Sequence, residues 1–261
     1  IELPAFDLGI KVSAEDTLNL VGQCGGDIYW SFDNETGHLS LTGSGYMYNY
    51  DSAFENNESI KSLTIGDGIV SIGDDAFRYC NALKEVHITN IESWLNIKFE
   101  SSTSNPLYYA GNLYINDALV TEVVLTSTPK IAAYAFEKFK ALTKVTIPES
   151  VTTIGANAFT GTALCNNTEN WENDVLYIGR HLIKAKTTLS GSYTIKEGTN
   201  TIGDSVFSWC SSLTSITIPD SVTTIGHYAF DGCSSLTSVT IPDSVTTIGY
   251  SAFSDCSSLT S

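Results

Sequence analysis

The chain has 261 residues, 42% of them hydrophobic and 16% charged, and its 29 acidic against 13 basic side chains give a formal charge of −16. Proteins that bind nucleic acid displace counterions with basic residues, so DNA, RNA and anionic membranes are poor partners for this chain. Its apolar runs stop short of the roughly 18 residues a membrane span needs, and the acidic excess reads first as a solubility feature.

The chain opens on Ile1 rather than Met, and no signal-type apolar core follows. The expectation is that the natural chain has lost an N-terminal segment. Abundant Asn, Ser and Thr with scarce Lys and Met is a composition common among secreted and cell-surface proteins. From Cys24, "CGGDIYWSFDNETGHLSLTGSG" predicts a hairpin of "IYWSF" and "HLSLT" around "DNETG". A stack of repeats would expose core and strand edges at its end, so this hairpin, from Cys24 to about Asn57, is expected to be an N-terminal cap. Residues 1–57 are accordingly assigned to an N-terminal segment and β-hairpin cap, and 58–261 to the repeats.

The repeats are explicit. Phe207, Phe230 and Phe253 stand 23 residues apart, as do Phe136 and Phe159, and Phe77 belongs to the series. Five residues before each comes Ile72, Ile131, Ile154, Ile202, Ile225 or Ile248. Twelve before comes Ile65, Val124, Ile147, Ile195, Ile218 or Ile241. In the unit L-x-x-V-x-I-P-x-x-V-x-x-I-G-x-x-A-F-x-x-C, "LTSVTI" alternates as a half-buried strand should. Proline ends that strand, "PDS" makes a turn, and "VTTIG" is a second short extended piece. The "xxAFxxC" segment has room for about one helical turn, which cannot stand alone. Such a coil buries its apolar side only by stacking on copies of itself, each large apolar side chain contributing roughly 1.5–3 kcal/mol. The words Ser211–Cys233 and Ser234–Cys256 differ at five positions, and only the conservative Ile216/Val239 exchange falls at an inward one.

The spacing predicts about eight coils, two of them degenerate, near 89–120 and 161–193. The first holds a hairpin turning at Asn116-Asp117, and the second turns at Gly179-Arg180. The chain stops at "SSLTS", in mid-strand of a new coil, so a longer array is expected beyond it.

The words "LTSVTIPDSVTTIGYSAFSDC", "GQCGGDIYWSF…GHLSLTGSGYM" and "SNPLYYAGNLYINDALVTEVV" resemble the BspA-like, or Treponema-type, leucine-rich repeat family, over roughly residues 22–261. The resemblance implies an α/β, β-rich solenoid with a parallel sheet on one face and short strands and helical turns on the other. It also implies export to the surface of a bacterium (or, in some relatives, a protist parasite), adhesion to host proteins and cell–cell aggregation, and no catalytic residues. Two departures are Ala132 in place of the repeat glycine and Phe139 in place of the repeat cysteine.

Chemistry-bearing motifs are sparse. Cys80, Cys210, Cys233 and Cys256 each follow a repeat phenylalanine by three residues, a spacing that fits no zinc pattern. They are expected to be buried, reduced thiols, while Cys24 and Cys165 stay undecided. His38, His87, His181 and His227 are isolated, "GDGIVS" at Gly66 lacks the third glycine of a dinucleotide loop, and "DNETG" lacks the downstream Glu of a calcium loop. Asp67, Glu149, Asp220 and Asp243 recur at solvated turns, and Asn34, Asn57 and Asn166 begin glycosylation sequons. No cofactor, metal or catalytic set is expected.

A partner would meet the outward strand positions: Ser62/Thr64, Glu85/His87, Lys144/Thr146, Ser192/Thr194, Ser215/Thr217 and Ser238/Thr240. Glu85, His87 and Lys144 break an otherwise plain hydroxyl ladder. Aromatics outside the spine, namely Trp94, Tyr108, Tyr109, Tyr114, Trp171 and Tyr177, are of the types favoured at binding hot spots, although they could equally seal the degenerate coils. The reading is a non-enzymatic, exported protein-binding module. Its expected partner is an extracellular-matrix or cell-surface protein, with carbohydrate binding or a structural spacer as alternatives.

Overall fold

Each repeated word folds as one short coil whose strands pair with those of the next, in the residues 19–49 and 54–260 that the computed structural model describes. The expectations for residues 1–18 lie outside them. The described chain divides into two units. The first runs through Thr121 and adds Tyr134–Leu142, and the second comprises Glu122–Ala133 and the chain from Thr143 onward.

In the first unit, strands β1 (Asn19–Gln23), β2 (Gly25–Asp33) and β3 (His38–Met47) form an antiparallel meander, with Trp30 opposite Leu41 and Phe32 opposite Leu39. The first half of β3 pairs in parallel with β4 (Ser62–Ile65), and its second half with β5 (Gly68–Ile72). Next come β6 (Glu85–Ile88), β7 (Lys98–Phe99) and β8 (Leu113–Ile115), where β6 adds to β4, β7 to β5, and β8 to β6. Leu39, Leu63, Val86 and Leu113 form the inward column, each 0–1% exposed. After β8 the chain reverses at Asn116 and Asp117, both at positive φ (48° and 63°), into the antiparallel β9 (Ala118–Leu119). That is the predicted hairpin, with the left-handed pair that a tight turn between twisted strands requires.

The hairpin of β2 and β3 is therefore more than a lid, because β3 is itself the strand of a coil. The period reaches one step further back than the sequence reading placed it. Phe54, 23 residues before Phe77, stacks on it at 5.4 Å and 20° between ring planes. Its amide donates to the Ala76 carbonyl, as the Phe207 amide does to Ala229 and the Phe230 amide to Ala252. The degenerate stretch keeps the ladder strands β7 and β8 and adds helices between them and the preceding strands: α1 (Ile91–Leu95), capped by the Asn90 side chain, and α2 (Leu107–Ala110), ended by Gly111 at φ 71°.

In the second unit, β10 (Glu122–Val124) pairs in parallel with β12 (Lys144–Thr146), and β11 (Lys130–Ile131) with β13 (Thr153–Ile154). Val123 and Leu125 are buried while Val124 is 63% exposed. This corrects the inward assignment of Val124. In this coil the proline is Pro129 instead of the residue directly after the spine position, and the coil is one residue shorter, so Leu125, 11 residues before Phe136, takes the spine position, its amide bonded to the Thr146 carbonyl. Helix α3 (Ala163–Asn166) leads to an antiparallel meander of β14 (Trp171–Glu172), β15 (Val175–Ile178) and β16 (His181–Ala185). The predicted reversal at Gly179 (φ 57°) is present, and a second lies at Asn173-Asp174. From there two parallel ladders run. One joins β17 (Ser190–Thr194), β19 (Ser212–Thr217) and β21 (Ser238–Thr240), and the other joins β16 to β18 (Thr201–Ile202), β20 (Thr224–Ile225) and β22 (Thr247–Ile248). Phe207, Phe230 and Phe253 stack between them with centroids 5.0 Å apart and planes 8° and 3° from parallel.

The Ala-Phe segments close each coil without a helix. Two residues before the phenylalanine, Asp75, Tyr134, Asn157, Ser205, Tyr228 and Ser251 all have positive φ, and so do Tyr79, Lys138, Trp209 and Asp255 two residues after it. A left-handed residue on each side breaks helical propagation and leaves linked i→i+3 turns, such as Ala76 to Gly73 and Cys80 to Phe77. The ladder cysteines finish the turn. The thiols of Cys80, Cys233 and Cys256 donate to the carbonyls of Phe54, Phe207 and Phe230 at 3.0, 3.2 and 3.1 Å. Burial pushes Cys80 up to about 11 and Cys233 to about 12, the behaviour of small hydrophobes rather than of reactive thiolates.

Candidate functional site

With the inward column fixed, β-strand alternation turns every second side chain of β3, β4, β6 and β8 to the open face. Register then decides which of them meet. His38 lies opposite Ser62 and Ser62 opposite Glu85, while Thr64 lies opposite His87 and His87 opposite Tyr114. Residues up to 79 positions apart in sequence so converge on one patch.

The His38 ring is held by two hydroxyls of β4, with Nδ1 2.8 Å from Ser62 Oγ and Nε2 3.1 Å from Thr64 Oγ1. Partial burial, then the nearby His87, holds its pKa below the ordinary histidine value. His87 sits between two carboxylates, Nε2 3.3 Å from Glu85 Oε2 and Nδ1 3.1 Å from Asp117 Oδ1. The phenol ring of Tyr114 stacks on His87 at 4.8 Å and 11°, and His38 meets His87 edge-on at 6.5 Å. Glu85 and Asp117 remain accessible, their side chains 46% and 92% exposed. The patch thus offers carboxylate acceptors beside a flat aromatic pair. Among the described residues, no group of three or more His, Cys, Asp or Glu side chains could hold a metal ion.

The structure brings together three of the sequence-predicted site residues, Glu85, His87 and Tyr114. Of the others in the first unit, Trp94, Tyr108 and Tyr109 make their contacts elsewhere. Trp94 is 1% exposed, its indole N–H donating to the Ala135 carbonyl at 2.8 Å and its ring packed on Phe99. Trp94 therefore seals the degenerate coil and is withdrawn from any contact surface. Tyr108 and Tyr109 pair edge-to-face at 5.1 Å, half-buried, with Lys138 over Tyr108. In the second unit, Lys144 faces Glu122 at 3.5 Å across the β10–β12 pair. There too Trp171 donates to the Cys165 carbonyl beneath Lys186, and the Tyr177 hydroxyl lies 3.0 Å from that of Tyr193 with Lys196 over its ring.

The sequence reading passed over His38 and Asp117 as members of the patch. It also passed over a row of exposed aromatics on the turns of the second unit: Trp209, Tyr228 and Tyr250, exposed by 63%, 41% and 70%. The Trp209 ring lies flat on Gly232, where a Cβ would come within 2.9 Å of it, and Tyr228 and Tyr250 meet edge-to-face at 5.7 Å. The register of β3, β4 and β6 locates His38, and the turn after β8 locates Asp117.

Stacked coils, each placing one strand in a parallel ladder and a phenylalanine in a central column, define a leucine-rich-repeat solenoid. A family model described as BspA type leucine rich repeat region matches residues 47–119, 110–191 and 185–261 in six copies, and the chain belongs to that family. No curated protein matches it. Among solved structures, it is similar to a leucine rich cell surface protein from Faecalibacterium prausnitzii A2-165, at 20% identity over 95% of both chains with a TM-score of 0.34. It is also similar to a leucine-rich repeat protein from Eubacterium ventriosum ATCC 27560, at 19% identity over 93% of this chain and 96% of that one, TM-score 0.28. A third is the T. pallidum leucine rich repeat protein, at 16% identity over 91% of each chain, TM-score 0.28.

Proposed function

We propose that the chain is a non-enzymatic binding module of a bacterial surface or secreted protein, attaching to host or neighbouring-cell proteins through the outward face of its first unit. One observation carries the reading. On that face the hydroxyl ladder gives way to the linked patch of His38, Glu85, His87, Tyr114 and Asp117, while the inward column beneath it is unchanged. Polar rings with accessible carboxylates suit a protein contact, in which aromatic anchors and a few charges dominate the energy. Family membership supports the same class of function, and the described residues include no helix long and apolar enough to cross a membrane. Tyr108 and Tyr109 are secondary contacts of the first unit in this proposal, and Lys144, Trp171 and Tyr177 are separate candidate contacts of the second unit.

The test is binding of the chain to purified extracellular-matrix and bacterial-surface proteins immobilised as a panel. A partner whose affinity falls about tenfold or more with His87→Ala/Tyr114→Ala is expected. A panel whose every hit is indifferent to that variant overturns the reading. The exposed row of Trp209, Tyr228 and Tyr250 favours carbohydrate binding as a second reading, since open ring faces can stack on sugars. Glycan-array signal lost with Trp209→Ala, without any protein hit, would select it.

A further inference from the structure

We propose that Glu85, Asp117 and the stacked His87–Tyr114 pair form the docking point for an arginine side chain of a protein partner. This rests on the protein-binding reading and names the chemistry of the partner at its centre. A neutral imidazole has one N–H and can donate to one carboxylate only, whereas an imidazolium donates to both. In either state two carboxylates surround at most one positive ring, so the patch keeps net negative charge. His38 is disfavoured as an offsetting cation, because partial burial and then the nearby His87 lower its pKa, and its two nitrogens are spent on Ser62 and Thr64 and not on the carboxylates. The Lys84 ammonium is turned away, donating to the Asn81 carbonyl at 2.9 Å.

The missing charge is a cation, and the shape of the patch selects which one. The His87 and Tyr114 rings stack on each other at 4.8 Å with planes 11° from parallel, so only their outer faces can meet a ligand, and accessible carboxylate oxygens flank the stack. A guanidinium is flat, stacks on aromatic faces and directs several N–H groups in its own plane toward carboxylates. An ammonium is a compact point charge that uses only part of this surface. The formal charge of −16 steers cationic partners toward the chain as a whole, and the patch gives the encounter a specific end point.

The test uses the full chain and two probes, an acetylated tetra-arginine peptide and its tetra-citrulline counterpart, followed by the NMR resonances of the His87 and Tyr114 side chains. The arginine peptide is expected to move those resonances and to bind at least about fivefold more tightly than the citrulline peptide. Glu85→Gln/Asp117→Asn should weaken it by about fivefold or more, while the charge-matched Asp220→Asn/Asp243→Asn should change it by less than about twofold. Equal weakening by both double variants, or shifts spread evenly over both units, would reduce the effect to bulk charge and overturn the proposal. So would an affinity that Glu85→Gln/Asp117→Asn leaves intact. A panel partner that depends on His87 and Tyr114 but not on Glu85 and Asp117 sinks arginine docking and spares the protein-binding reading. Peptide binding at the patch with no panel partner does the reverse.

Discussion

The two units solve the same packing problem with different strictness. In the second, Phe207, Phe230 and Phe253 repeat at 5.0 Å with nearly parallel planes, and the outward pairs Ser192/Thr194, Ser215/Thr217 and Ser238/Thr240 repeat with them. In the first, the Phe54–Phe77 stack is wider and tilted, at 5.4 Å and 20°, Trp30 meets Phe54 edge-on, and helices are inserted between the strands after β6. Yet Leu39, Leu63, Val86 and Leu113 are as buried as any residue in the molecule. Stacking constrains only inward letters, so the outward ones can acquire chemistry without loss of fold. In the first unit Glu85, His87 and Tyr114 stand at such outward positions.

The largest effect should come from removing a stacked ring. Phe230→Ala opens a cavity between two parallel neighbours and should cost about 3–5 kcal/mol in urea unfolding. Phe54→Ala, with one stacked neighbour and one edge contact, should cost about 1 kcal/mol less. Equal losses, or a larger loss at Phe54, would mean that regular stacking confers no extra stability on the second unit.

Acidification sharpens the comparison. In the second unit His181 is 1% exposed, and burial, against the opposing pull of the Pro148 backbone, holds its pKa below the ordinary value near 6.5. In the first unit His38 is depressed in the same direction, but it is only partly buried and hydrogen-bonded to two hydroxyls. For a depressed histidine the unfolded chain binds the extra proton, so stability is complete above pH 6.5 and falls as pH drops through the folded pKa. Urea midpoints compared at pH 7.5 and 5.0 should show this loss reduced by His181→Leu, and reduced less by His38→Gln. An unchanged pH dependence in His181→Leu would show that another group sets it.

Much of the fold could be read from the letters because repeated inward residues and turn pairs act locally. The reversals at Asn116-Asp117 and Gly179 sit where left-handed residues or glycine make them. Phe54 escaped because its coil lacks the proline and the Ile-Gly word, although its distance of 23 from Phe77 was available. Leu125 escaped because a fixed count of 12 fails once a coil loses a residue. Trp209 and Tyr228 escaped for a different reason. They occupy left-handed positions, at a cost of about 1–2 kcal/mol each, where neither the strand nor the helix period tells which way a side chain points. The candidate patch was half visible, since Glu85, His87 and Tyr114 stood out by type. His38 joins them only through pairing across β3, β4 and β6, a relation that no local pattern encodes, and Asp117 joins them from the turn after β8.

The smallest expected effect concerns Lys144. It lies 3.5 Å from Glu122 on the neighbouring strand, with both side chains more than half exposed, at 66% and 58%. Water and salt screen such a pair, so a double-mutant cycle of Lys144→Met and Glu122→Gln should give a coupling of about 0.2–1 kcal/mol at low ionic strength, with less remaining at 0.15 M salt. A coupling well above that range would make the pair a fixed part of the stack, as inward residues are. A coupling inside that range would mean that the lysine can leave Glu122 for an acidic partner group at little cost. Lys144 would then serve a partner in the way proposed for Glu85 and Asp117 in the first unit, but with the opposite charge.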